Sequence, residues 1–150
     1  MENLKNIEFW LDDLLKQLSP PERRKLMRDV ATDLRKQQQN NIAMQKNPDG
    51  TAFEPRKSSG RAKQGRVRRK MFSKLRTARY MKTKATTDGA EVYFDTSSKA
   101  MRIARIHHFG LRDRVSKYGP EVTYARRELM GITDVSEEMV RDIILTHLSR

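Results

Sequence analysis

Leu4, Ile7, Leu11, Leu14, Leu15 and Leu18 recur at three- and four-residue spacing, with Phe9 and Trp10 beside them. That period predicts a short amphipathic helix. Ser19-Pro20-Pro21-Glu22 ends it and starts another. Ser19 can cap, Pro20 suits a first helical position, and Glu22 stands where a capping box places its acid. The second helix continues through Leu26, Val30 and Leu34, with Met27 and Ala31 widening the stripe, and reaches the Gln37 to Met44 region. Asn47-Pro48-Asp49-Gly50 is a stop and turn. The two helices are expected to form an antiparallel hairpin. The run Gln37-Gln38-Gln39-Asn40-Asn41 reads as the polar end of the second one.

Thr51 to Gly65 has no periodicity and contains Pro55, Ser58, Ser59, Gly60 and Gly65, the pattern of a mobile basic loop. Val67, Met71, Leu75 and Ala78 return to helical spacing and predict a short basic helix over 66–76. Tyr80 to Thr86 alternates loosely. Asp88-Gly89 then predicts a two-residue turn into the strand Ala90 to Phe94. Ser97 or Ser98 can cap a helix through Ala100, Ile103, Ala104 and His107, closed by Gly110. After the turn Tyr118-Gly119-Pro120, Glu121 to Tyr124 reads as a third strand. Asp134, with Glu137 three residues on, reads as the cap of a last helix carrying Val135, Met139, Val140, Ile143, Ile144 and Leu148.

This order predicts an α+β fold in which a small antiparallel sheet is packed by several helices. A chain of 150 residues suits one domain. Within it, 1–46 is expected to be the helical hairpin, 47–65 the basic loop and 66–150 the α+β core.

Charge changes this picture more than length does. The formal net charge is +13. From Pro55 to Thr87 there is no acid, while 13 lysines and arginines fall there. The remainder holds 19 basic and 19 acidic residues, so the whole excess lies in one segment. Such asymmetry points to an anionic partner met by one arm or face. Arg56, Lys57, Arg61, Lys63, Arg66, Arg68, Arg69 and Lys70 are the candidate contacts. Their target can be nucleic-acid phosphates or an acidic neighbouring subunit, or they can form a solvated face. Phe72 and Tyr80 are too widely spaced for a base-stacking platform. The hydrophobic fraction of 36% implies a thin core, and hence a subunit supported by neighbours.

Other chemistries are poorly supplied. The absence of cysteine excludes disulfides, thiolate metal sites and cysteine nucleophiles. Met1 to Leu18 carries Asp12 and Asp13 and lacks the pattern of a signal peptide. No window approaches the roughly 20 apolar residues of a membrane span, so a protein kept in the cytosol is expected. His107-His108-Phe109-Gly110 is the obvious place for chemistry, but adjacent helical positions point about 100° apart and cannot easily share a metal. One ring is expected to cap or pack and the other to lie at a surface or interface. No phosphate-binding loop or nucleophile motif is present. Neither enzymatic activity nor a cofactor is expected.

Several pieces in order then resemble a known family. Asn47-Pro48-Asp49-Gly50-Thr51 precedes Phe53 and Pro55-Arg56-Lys57. Met71 to Leu75 precedes the Asp88-Gly89 hairpin with Val92 and Phe94. Ile103-Ala104-Arg105-Ile106-His107-His108-Phe109-Gly110-Leu111 follows, then Tyr124-Ala125-Arg126-Arg127-Glu128-Leu129 and Met130-Gly131-Ile132-Thr133. They resemble the virion-morphogenesis, or tail-completion, family of contractile-tailed temperate phages and prophages, which usually shows Pro where Ala125 stands. The resemblance implies a structural protein of the virion tail or neck, made in the host cytoplasm. It would complete the tail or join it to the head as a homo-oligomeric ring, often hexameric. Its partners would be tail-tube and head-completion proteins, with genomic DNA in the channel and no membrane. The rival reading from the charge alone is a nucleic-acid-binding protein without sequence specificity.

Overall fold

The computed structural model describes residues 12–13, 16–56, 70–97, 99–114 and 116–149. The helix expected over Leu4 to Leu18, and with it the helical hairpin, falls almost wholly outside these residues.

Helix α1 runs Pro20–Ala43 and starts as its sequence predicts. The Ser19 hydroxyl accepts from the Glu22 amide, and the Ser19 amide donates to the Glu22 carboxylate at 3.2 Å. Its buried stripe, Leu26, Val30, Leu34, Gln38 and Ile42, repeats every four residues. Strands β1 (Met81–Ala85) and β2 (Ala90–Phe94) pair antiparallel, with Met81 opposite Phe94 and Ala85 opposite Ala90. Helix α2 is Ala100–Phe109. Strands β3 (Arg112–Arg114) and β4 (Glu121–Thr123) form a second antiparallel pair, and helix α3 is Asp134–Leu148.

Two apolar clusters lie along α1. Leu26, Met27, Val30 and Leu34 meet Ile144 of α3. Ile42, nearer the other end, joins Phe53, Leu75, Met81, Phe94, Ala100, Ala104 and Leu129. Val92 packs against both clusters, so one face of the β1–β2 hairpin bridges them. Removing such side chains from water contributes about 1.5–3 kcal/mol each.

The fold is α+β as expected, with several local corrections. The strands make two two-stranded sheets, because β3, missed in the sequence, captures β4. Residues 71–76 are successive turns and no helix, since Phe72 has φ +64 and breaks the helical path. Asp88-Gly89 is not a two-residue turn by itself. Four residues link the strands, and the Thr86 hydroxyl accepts from the Asp88 and Gly89 amides at 3.2 and 3.1 Å. Ser97 does not cap α2; its amide and hydroxyl donate to Asp95. The cap of α3 is Thr133, which exchanges bonds with Ser136, so Asp134 is the first helical residue.

Gly110 closes α2 as expected, with φ +65. A side chain there would also meet the Arg126 backbone at 3.0–3.1 Å.

Candidate interaction site at the roots of the basic segment

Of the predicted contact residues, Arg56 and Lys70 are described and both are exposed. Lys57, Arg61, Lys63, Arg66, Arg68 and Arg69 lie outside the described residues. What the structure supplies is the setting of the two flanks, 54–56 and 70–71.

The first flank is held by Arg127. Its guanidinium donates from Nε to the Glu54 carbonyl at 2.8 Å and from Nη2 to the Pro55 carbonyl at 3.2 Å. Arg127 is only 7% exposed, and burial pulls its pKa below the usual arginine range. The second flank is held by Gln45. Its side-chain oxygen accepts from the Met71 amide, and its nitrogen donates to the Met71 carbonyl, each at 2.9 Å. Lys70 adds a bond from Nζ to the Ala43 carbonyl at 2.9 Å, which caps the end of α1. Glu54, Pro55, Arg56, Met71 and Arg127 all line one groove of about 670 Å³, so the two flanks sit side by side.

His107 forms part of the same groove. Its ring lies edge-on to Phe72 at 5.0 Å and to Tyr124 at 4.7 Å. Its Nδ1 is buried without a hydrogen-bond partner among the described residues. His108 Nδ1 accepts from the Leu129 amide at 3.2 Å. Both rings are half-buried and structural, one packing and the other fixing the segment after β4. Burial lowers the pKa of each. The Arg127 charge adds to the effect at His107, while at His108 Glu128 opposes it and Arg126 adds to it.

In the unfolded chain these rings titrate near 6.5. The folded state holds them neutral to lower pH, so the unfolded state takes up protons first as pH falls. Their contribution to stability is complete above about 6.5 and is lost below it. The Asp49, Asp95 and Asp113 carboxyls, all held below 3.8, change stability only at lower pH. The melting temperature is therefore expected to fall between about pH 7.5 and pH 5, and less so in His107→Phe. A flat profile in that range, measured by circular dichroism, would contradict this.

Sequence reasoning missed the residues that fasten the segment after β4. Gln38, 3% exposed, donates to the Gly131 carbonyl at 3.2 Å and accepts from the Gly131 amide at 3.1 Å. Gly131 has no room for a side chain against Pro48, whose Cγ would lie 2.9 Å from a Cβ. Asn47 Oδ1 accepts from the Glu128 amide at 2.8 Å, and Gln37 accepts from the Ser136 hydroxyl at 2.7 Å. The glutamine run thus ties α1 to distant parts of the chain: Gln38 and Gln39 bond backbone groups and Gln37 a side-chain hydroxyl. One signal was available: Gln38 stands four residues from both Leu34 and Ile42, where the stripe calls for an apolar side chain.

Among the described residues, no group of three or more histidine and carboxylate side chains converges to hold a metal ion. No helix among them is long and apolar enough to cross a membrane.

A sequence model of the phage virion morphogenesis family matches residues 2–149. The chain belongs to that family. It is also 41% identical over 151 residues to a protein of Escherichia phage P2 named tail completion protein S, covering the full length of both chains. No solved structure matches it significantly. In this phage virion morphogenesis protein, the sequence pieces that resemble the family do structural work. His107, His108, Arg127 and Gly131 of those pieces are all packing or clamping residues in this fold.

Proposed function

We propose that this protein is a non-catalytic subunit that completes the phage tail, acting in an oligomeric ring. The observation that carries this reading is the full-length similarity to a tail completion protein. The geometry is consistent with it: clamped backbone, side-by-side flanks and concentrated charge suit a rigid body that offers one cationic segment to a partner. The ring, often hexameric in such proteins, would stand between tail tube and head-completion proteins in the virion neck. Residues 57–70 would meet acidic surfaces there, or phosphates of DNA in the channel. Assembly would take place in the host cytoplasm. On this reading 1–150 acts as one domain, with 1–46 helical, 47–65 the basic loop and 66–150 the α+β core.

The test is reconstitution. Extracts of cells infected by a phage lacking this protein should yield infectious particles when the purified protein is added. The yield should rise in proportion to protein until the tails are saturated. Restoration by trace amounts would indicate a catalyst, and no restoration would remove the tail-completion role.

The thirteen cations between Pro55 and Thr87 also favour a second reading, nucleic-acid binding without sequence preference. It requires the free subunit to bind duplex DNA with a salt slope of about −0.9 per phosphate contacted.

A further inference from the structure

Two grooves on the subunit are opposite in charge and alike in build. The first lies between α1 and α3. Asp29, Asp33, Glu138 and Asp142 surround a floor of Val135, Met139 and Ile143, in a space of about 740 Å³. Lys36 and His147 also line it, and His147 already bonds Asp29 at 2.8 Å. Val135 is 65% exposed although it begins the apolar stripe of α3. The groove is net acidic although the chain as a whole carries +13.

The second groove lies between α2 and the β3–β4 pair. Lys99, Arg102, Arg114 and Lys117 surround Ile103 and Ile106, in about 500 Å³. Its one carboxylate, Asp113, is taken by Arg102 through two bonds of 2.9 Å. Ile103 is 43% exposed, and Tyr118, next to Lys117, is 90% exposed. Exposed aromatic and arginine side chains beside apolar ones are enriched at interfaces.

We infer that the basic α2/β3–β4 groove of one copy docks on the acidic α1/α3 groove of the next. The inference rests on the ring reading above and names the surfaces that would form it. Both sides offer exposed apolar side chains, and a net cationic groove faces a net anionic one, so attraction fixes the pairing and like-charge contact excludes the others. The two grooves share no residue. The contact is therefore heterologous, the type that closes into a ring when its rotation permits.

Charge exchange in the full-length chain tests this. One variant carries Glu138→Lys and Asp142→Lys; the other carries Lys99→Glu and Lys117→Glu. These four residues are exposed, and circular dichroism should show both variants folded as the wild type. In sedimentation velocity the wild type should associate, and each variant alone should lose more than about a hundredfold in association constant. An equimolar mixture should regain association, because one of its contacts is native and the other is charge-exchanged. The chain carrying all four changes should also regain it. A variant that associates like the wild type, or a mixture that stays monomeric, would overturn the groove contact while leaving the ring intact. A wild type that is monomeric at every concentration would overturn both. Loss of association caused only by changes in the 57–70 cations would assign the acidic groove to that segment and overturn the contact.

Discussion

Replacing Gln38 with alanine is expected to lower the unfolding free energy by about 3 kcal/mol. The side chain is 3% exposed and makes two bonds with the Gly131 backbone. Alanine leaves an amide and a carbonyl unpaired where water has little access, at roughly 1–3 kcal/mol each. For a chain of this length the melting temperature should fall by about 10 °C. Gln39→Ala is the internal control. Among the described residues Gln39 makes one side-chain bond, to the Arg76 carbonyl at 2.7 Å, from a less buried position, and its loss should cost no more than about 1.5 kcal/mol. Denaturant titration of both variants separates the cases. Equal, small losses would mean that water fills the Gln38 site and that the clamp contributes little.

Arg127→Ala should be nearly as damaging, with a loss of about 2–4 kcal/mol. It removes the donors that hold the Glu54 and Pro55 carbonyls and opens a gap in the groove beside His107. Arg127→Lys should recover only part of the loss, because one ammonium cannot reproduce the planar fork that spans both carbonyls. Release of this flank should also impair tail completion at temperatures where the variant is still folded. A variant that assembles normally while its stability falls would confine Arg127 to a structural role.

The elements that could be read from the sequence are those whose causes are local. The α1 capping box needs only Ser19 and Glu22, and the turn after α1 needs Asn47 to Gly50. The β1–β2 hairpin and α3 follow from periods of two and 3.6 residues. The turns at 71–76 and strand β3 were misread because their causes lie outside the local stretch of chain. Met71 and Leu75 keep helical spacing, yet Gln45 occupies both backbone groups of Met71, and Phe72 takes a left-handed conformation. Strand β3 is three charged residues, Arg112-Asp113-Arg114, with no alternation to betray it; ion pairs to Arg102 and Glu121 help to hold it in register. Exposed pairs of this kind contribute only a few tenths of a kcal/mol each, so pairing with β4 defines the strand.

The candidate site divides in the same way. Its charge was plain from composition, since cations accumulate where acids are absent. Its attachment was not, because Arg127 lies 72 residues from Pro55, whose carbonyl it bonds. The second of two adjacent arginines within Ala125-Arg126-Arg127-Glu128, Arg127 carries no local mark of burial. Gln38 did carry one, as a polar residue on an apolar stripe.

Complementation with a charge-reversed segment probes most directly whether the protein works by presenting cations from a rigid frame. Arg61, Lys63, Arg66, Arg68 and Arg69 would be changed together to glutamate and the variant supplied to a phage lacking its own copy. The expected result is a folded protein with wild-type melting temperature and a loss of infectious particles by several orders of magnitude, with finished heads and tails left unjoined. Infectious particles at the wild-type yield would contradict it.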